Sequence, residues 1–371
     1  MKHYWQMNNN SHSKIVWQKS LLLLIPVLMI MFASSDLPAL ERGMKRIVNL
    51  NGRWKFEIGD NPRWADPKFD DNSWEEIYVP SSWEDEGFPG YDGFAWYRTS
   101  FELDRIEENK TYYLYLGTID DVDETYFNGH YLGSSGVFPP DFVTAAAIFR
   151  RYVIPEEYFN PKGKNEIAVR VYDGLGLGGI KRGSAGIYMY DPKIELDINL
   201  SGIWKFKPGD DLSWKNDIDD SDWDKIIVPG YWESQGYPDL AGFAWYRKKI
   251  TIDRKHKNEH LILLFDKIDD MDQTYVNGQL VGHTGNIPDN PNEIVTNTTD
   301  AAELRAYYLP KELLKFDGEN QIAVRVFDGP EHGGIKEAPV GIMTRDKYLE
   351  WKKRRERGGS LWEVILQELG F

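Results

Sequence analysis

The sequence predicts an all-β protein of two tandem antiparallel β-sandwiches followed by a short helical tail. Three observations carry that prediction. A unit of about 150 residues occurs twice with its motifs in the same order, and internal repetition decides architecture before local signals do. Short runs rich in Tyr, Val, Ile and Leu, at 111–119 and 167–172, are bounded by Gly or Asp, as strands are. Asn128-Gly129 and Asn277-Gly278 each stand between two such runs, and both residue types accept the positive φ of a tight hairpin turn.

The first element is an address. Leu21 to Ala33 is an apolar stretch preceded by Lys14 and Lys19 and followed by Ser34 and Ser35. A basic flank, a short apolar centre and a small-residue exit form a signal peptide over residues 1–35, so the expected location is secreted or periplasmic. Left uncleaved, the same segment is a short membrane anchor and the only membrane contact expected. Pro26 argues against a buried core helix there.

Next comes the repeated unit, at 47–193 and again at 194–346. Leu50-Asn51-Gly52-Arg53-Trp54-Lys55-Phe56 returns as Leu200-Ser201-Gly202-Ile203-Trp204-Lys205-Phe206. Gly93-Phe94-Ala95-Trp96-Tyr97-Arg98 returns as Gly242-Phe243-Ala244-Trp245-Tyr246-Arg247. Ile119-Asp120-Asp121-Val122-Asp123 returns as Ile268-Asp269-Asp270-Met271-Asp272, and Gly178-Gly179-Ile180 as Gly333-Gly334-Ile335. Trp-Lys-Phe alternation predicts a first strand with one face inward. Trp54, Trp96, Trp204 and Trp245 fall at strand positions and are expected in the core. The last element, 347–371, reads as a helical tail with a capping box at Ser360-Leu361-Trp362-Glu363.

Composition excludes several functions. A net charge of −15 opposes binding to a nucleic-acid backbone. The absence of cysteine excludes disulfides, thiolate metal sites and a cysteine nucleophile. The seven histidines lack metal-ligand spacing, and no G-x-S-x-G elbow occurs. Gly174-Leu175-Gly176-Leu177-Gly178-Gly179 has dinucleotide-loop spacing, but a strand-like run follows where that motif needs a helix. It reads instead as a rim loop.

Two groups could carry chemistry. Asp120, Asp121 and Asp123, with Asp269, Asp270 and Asp272, first suggest loop hydrogen bonds, since Asp favours local backbone contacts. Sugar contacts and a structural calcium are the alternatives, calcium being the one cofactor considered. Trp83, Phe88, Tyr91 and Phe94 lie among glycines and prolines and so on a loop, matched by Trp232, Tyr237 and Phe243. Such rings serve either as platforms for the C–H face of a sugar or as structural plugs.

These motifs, twice over, resemble the sugar-binding domain of glycoside hydrolase family 2, a galactose-binding-like jelly roll found in β-galactosidases and β-glucuronidases. The acidic run at Ile119–Tyr126 looks closest to the version within sialate O-acetylesterases. The resemblance implies a ligand site at Trp83, Tyr91, Asp92, Arg98, Asp173, Gly178 and Gly179, and at Trp232, Arg247, Asp328, Gly333 and Gly334. It implies oligo- or polysaccharide as partner. A catalytic barrel needs about 250 residues, and neither Gly59-Asp60-Asn61 nor Gly209-Asp210-Asp211 supplies a nucleophilic serine. No catalytic residue is assigned. The expectation is a non-catalytic carbohydrate-binding protein. The alternatives are a family 2 or acetylesterase-like hydrolase, and an accessory subunit for a separate glycosidase.

Overall fold

Strand faces follow the alternation in the sequence. The structure, a computed structural model, describes residues 43–191, 195–287, 303–329 and 332–357. The segment Leu21–Ala33 and the capping box at Ser360 lie outside the described residues. Residues 44–190 form β1 Met44–Asn49, β2 Gly52–Ile58, β3 Glu75–Val79, β4 Gly93–Glu102, β5 Thr111–Asp120 and β6 Val122–Phe127. They continue with β7 His130–Ser135, β8 Phe149–Ile154, β9 Lys164–Asp173, β10 Gly179–Arg182 and β11 Gly186–Tyr190. Residues 198–344 repeat the pattern as β12 Ile198–Asn199, β13 Gly202–Pro208, β14 Asp224–Val228, β15 Gly242–Thr251 and β16 Leu261–Asp269. β17 Met271–Val276, β18 Gln279–Thr284, β19 Arg305–Leu309, β20 Glu319–Asp328 and β21 Gly334–Thr344 complete it.

Four sheets result. A six-stranded sheet runs β3-β2-β4-β9-β6-β7, accompanied by β1-β11-β5-β10 with β8 also on β5. The second half gives β14-β13-β15-β20-β17-β18 and β12-β21-β16-β19. The paired strands run antiparallel, as in β4 on β9 and β15 on β20. The expected inward face is present: Trp54 and Phe56 of β2 are buried, as are Trp204 and Phe206 of β13. Trp54 Nε1 donates to the Leu50 carbonyl at 2.8 Å, and Trp204 Nε1 to that of Leu200 at 2.7 Å, so each indole is buried with its polar atom satisfied. In the second half one apolar cluster joins Trp204, Phe206 and Tyr246 of one sheet to Leu263, Phe265 and Ile342 of the other. That interlayer core is what makes each half a sandwich.

Both hairpins form as expected. Asn128 (φ 49°) and Gly129 (φ 79°) turn β6 into β7, and Asn277 (φ 49°) and Gly278 (φ 81°) turn β17 into β18. At the junction of the halves, Tyr131 Oη donates to the Ser234 carbonyl at 3.0 Å and Asn199 Nδ2 to that of Lys110 at 2.9 Å. The tail begins as α1, Arg345–Arg357, whose Trp351 is buried against Leu264 and Met343. Through Trp351 this helix packs on a sheet.

Candidate functional site

Three carboxylates meet at one end of each half because the topology ends their strands together. Asp120 closes β5, Asp121 links β5 to β6, and Asp173 closes β9; a ligand oxygen from each lies within 4.8 Å of the others. Asp269, Asp270 and Asp328 reproduce the cluster in the second half. Asp121 N donates to the Tyr172 carbonyl at 2.8 Å, which draws the β5–β6 link towards the end of β9.

Most of the oxygens have partners. Lys181 Nζ pairs with Asp120 and also donates to the Leu177 carbonyl at 2.8 Å. Thr144 Oγ1 and Gly174 N, the latter at 3.0 Å, donate to the two oxygens of Asp121. Leu175 N donates to Asp173 Oδ1 at 3.3 Å, while Asp173 Oδ2 is buried and receives no N–H or hydroxyl donor among the described residues. In the second half Lys336 pairs with Asp269, Gly329 N donates to Asp270 Oδ2 at 3.1 Å, and Asp328 Oδ2 is again buried without such a donor among the described residues.

Electrostatics follow from this crowding. Burial, then the charges of Asp120, Asp121 and Asp92, push Asp173 up to about 7 against the pull of the Leu175 amide. Burial with Asp269, Asp270 and Glu233 does the same to Asp328, also to about 7, against the pull of Lys336. Asp121 is held below the ordinary carboxylate value: burial opposes this, but the donors Thr144 and Gly174 outweigh it. Each cluster thus contains one acid whose proton affinity is raised to about 7.

A calcium ion takes six to eight oxygen ligands. With Lys181 on Asp120 and both Asp121 oxygens engaged, the cluster already has an ammonium as its cation and leaves few free carboxylate oxygens.

The expected site residues separate into groups. Asp173 and Asp328 are in the clusters. Asp92 lies beside the first, its Oδ1 accepting from Gly176 N at 3.2 Å. Trp83 and Trp232 are not platforms: both are fully buried, so neither offers a face to a sugar. The Trp83 ring packs at 5.9 Å from Phe56 and 5.7 Å from Tyr91. Tyr91 is half-buried, its hydroxyl donating to the Phe94 carbonyl at 2.6 Å. Phe94 and Phe243 belong to strands β4 and β15, not to a loop.

Gly178 and Gly333 explain why the indoles plug. A Cβ on Gly178 would fall on Trp83, 2.8 Å from Cη2 and nearer still to Cζ2. On Gly333 it would fall on Trp232 and lie 2.8 Å from Asp328 Oδ2. The glycine loop is pressed onto the tryptophan, and only a residue without Cβ permits that approach. Gly179 (φ 108°) and Gly334 (φ 127°) start the next strands in backbone that favours glycine.

Arg98 and Arg247 lie apart from the carboxylates. Both are fully buried; Arg98 binds Asp71 at 2.8 Å and Glu166, and Arg247 binds Asp220 at 2.8 Å. Their sequence signal was the resemblance alone, and their partners show a structural tie between loop and sheet.

Sequence reasoning overlooked Lys181 with Lys336 and Glu84 with Glu233. Glu84 Oε1 accepts from Gly178 N at 3.2 Å, and Glu233 Oε1 from Gly333 N at 3.0 Å. The repeat held the signal: Gly-Gly-Ile-Lys and Trp-Glu occur in both halves.

With the site described, its relatives can be placed. Residues 59–174 match the family model for the second all-β domain of β-galactosidase. A protein of Formosa agariphila named a putative β-glucuronidase is 29% identical over 205 residues, covering 52% of this chain and 18% of that protein. Residues 59–174 are therefore similar to an all-β domain of β-galactosidase. The β-galactosidase BoGH2A of Bacteroides ovatus is 28% identical over 153 residues, 35% of this chain and 17% of its own length. The match thus spans under a fifth of either family 2-like relative. A solved family 2 member from Bacteroides cellulosilyticus aligns with a TM-score of 0.34 and 16% identity over 76% of this chain and 31% of that one, a score from which no residue correspondence follows.

Proposed function

We propose that the chain is an exported, non-catalytic saccharide-binding protein whose two carboxylate clusters each hold the hydroxyls of one sugar. The observation that carries this reading is the buried Oδ2 of Asp173, repeated at Asp328, which receives no N–H or hydroxyl donor among the described residues. A buried acceptor left unmade costs about 1–3 kcal/mol, and a sugar hydroxyl would satisfy it. The relatives' names, a β-glucuronidase and a β-galactosidase, support a glycoside as the ligand class. Export rests on the leader pattern at Leu21–Ala33.

The clusters are poor catalytic dyads. Their oxygens converge on one point, each within 4.8 Å of the others, whereas a glycosidase sets its two carboxyl groups on either side of the bond to be cut. Lys181 and Lys336 further engage one acid in each. Titration calorimetry with galactosides and glucuronides tests the reading, using wild type and Asp173→Asn with Asp328→Asn. Loss of binding in the double variant supports it. Undiminished binding there, or turnover of an aryl glycoside by the wild type, would overturn it.

A second reading, docking of a separate glycosidase, is favoured by the apolar rim of the first site. Leu175 is 82% exposed and Leu177 54%, in the loop beside half-exposed Phe142. Co-purification of a glycosidase that Leu175→Ser abolishes, without sugar affinity of the chain alone, would select it.

A further inference from the structure

The two halves part company at a cleft distant in function from the carboxylates. Strands β13 and β15 pair only from Lys205↔Arg247 to Pro208↔Ala244, and beyond that pair they splay. A cleft of about 280 Å³ opens there, lined by Ile203, Trp204, Lys205, Asp220, Lys225, Arg247, Lys248 and Lys249. Five of these eight side chains are cationic and one is acidic, in a chain whose net charge is −15.

Cross-strand register sharpens the point. Lys225, Lys205 and Arg247 face one another in a row across β14, β13 and β15. Like charges directly opposite destabilise a sheet. The first half avoids this: the same row reads Glu76, Lys55 and Arg98, with Lys55 bound to Glu76 at 3.1 Å. The repeat aligns Glu76 with Lys225, Thr99 with Lys248, Ser100 with Lys249 and Glu166 with Gln321. All four differences make the second half more positive.

The last difference reaches the buried arginine. Arg98 gives its Nη2 to Glu166. Arg247 has Gln321 in that place, and its Nη2 is buried without a hydrogen-bond partner among the described residues. Nearby acids do not cancel the excess. Asp220 takes Arg247 Nε at 2.8 Å, Glu319 takes Lys249 at 2.8 Å, and Asp217 lies close enough to Lys249 to act on its charge. Glu157 acts on Lys248, whose Nζ donates to the Ile203 carbonyl at 2.7 Å. Lys205 donates to the carbonyls of Ser221 and Trp223, each at 3.1 Å, which leaves it a third proton.

We propose that this cleft binds a small oxyanion, a sulfate, phosphate or carboxylate group, held by Arg247, Lys205 and Lys225. An oxyanion accepts the orphaned Nη2 proton and lies between the opposed cations, removing both penalties together. The group arrives either as the free ion or attached to a saccharide.

Titration of the full chain at constant ionic strength separates these sources. The probes are sodium sulfate, sodium phosphate, a galactose sulfate and galactose, with chloride as the balancing anion. Binding of the inorganic ions identifies a free-ion site, and binding of the galactose sulfate alone identifies a saccharide-borne group. In either case the Lys225→Glu/Gln321→Glu variant, which restores the first half's residues, should weaken binding by about tenfold or more, the weight of a charge-assisted hydrogen bond. Lys225 is exposed and Gln321→Glu supplies a partner for Arg247, so this variant should fold; Lys225→Ala alone should show part of the loss. Asp173→Asn and Asp328→Asn should leave oxyanion binding intact, which keeps this site's test separate from that of the carboxylates. No binding of any anionic probe, or equal binding by wild type and the restored variant, would overturn the proposal.

Discussion

Asp173→Asn should stabilise the protein above neutral pH, the opposite of what loss of a buried polar contact usually does. The substitution keeps the shape and the Oδ1 acceptor for Leu175 N while removing a charge from beside Asp120 and Asp121. Folding raises this acid from its ordinary 3.8 to about 7. A raised carboxyl favours the folded state while protonated, and that contribution fades as pH climbs from about 4 through about 7. A shift of about three pH units corresponds to about 4 kcal/mol. Water reaching the cluster screens this by about half, leaving an expected gain of about 2 kcal/mol for the variant at pH 8. At pH 4 the two proteins should differ little. Urea unfolding at both pH values measures the difference, and taking variant against wild type cancels the other titrating groups. A variant equal to or weaker than wild type at pH 8 would refute the crowding of charge at Asp173.

Other substitutions probe the frame around the clusters. Gly178→Ala should cost about 1–3 kcal/mol or more by overpacking Trp83. Gly176→Ala, with φ 109° and open space around its Cβ, should cost about 1 kcal/mol from backbone alone; thermal melts rank the two. Trp83→Ala should lower stability by about 3–5 kcal/mol, as for a fully buried tryptophan, so chemical denaturation rather than a sugar assay is its first readout. Lys181→Met should abolish the ammonium contact to Asp120 and move the titration of Asp120 further up, followed by carboxyl NMR shifts in an isotopically labelled protein.

Much of the fold is legible in the sequence because sheets advertise themselves locally. Trp54-Lys55-Phe56 alternates with a period of two, Asn128-Gly129 specifies a two-residue turn, and a repeated order of such signals doubles the architecture. A C-terminal helix was legible too, whereas the docking of its Trp351 on Leu264 and Met343 was not.

Which rings face solvent and which arginine is paired lay beyond the linear pattern. Trp83 sits among glycines and prolines, as a loop residue exposed to ligand would, yet Gly178, 95 positions later, closes over it. The same five residues precede Arg98 and Arg247, and only register across β9 and β20 reveals that one meets Glu166 and the other Gln321. Strand propensity and turn chemistry act between near neighbours, so the chain alone determined the all-β class, the doubling and the hairpins. Burial, proton affinity and charge compensation depend on distances between segments far apart in the chain, and those distances exist only once the sheets have closed.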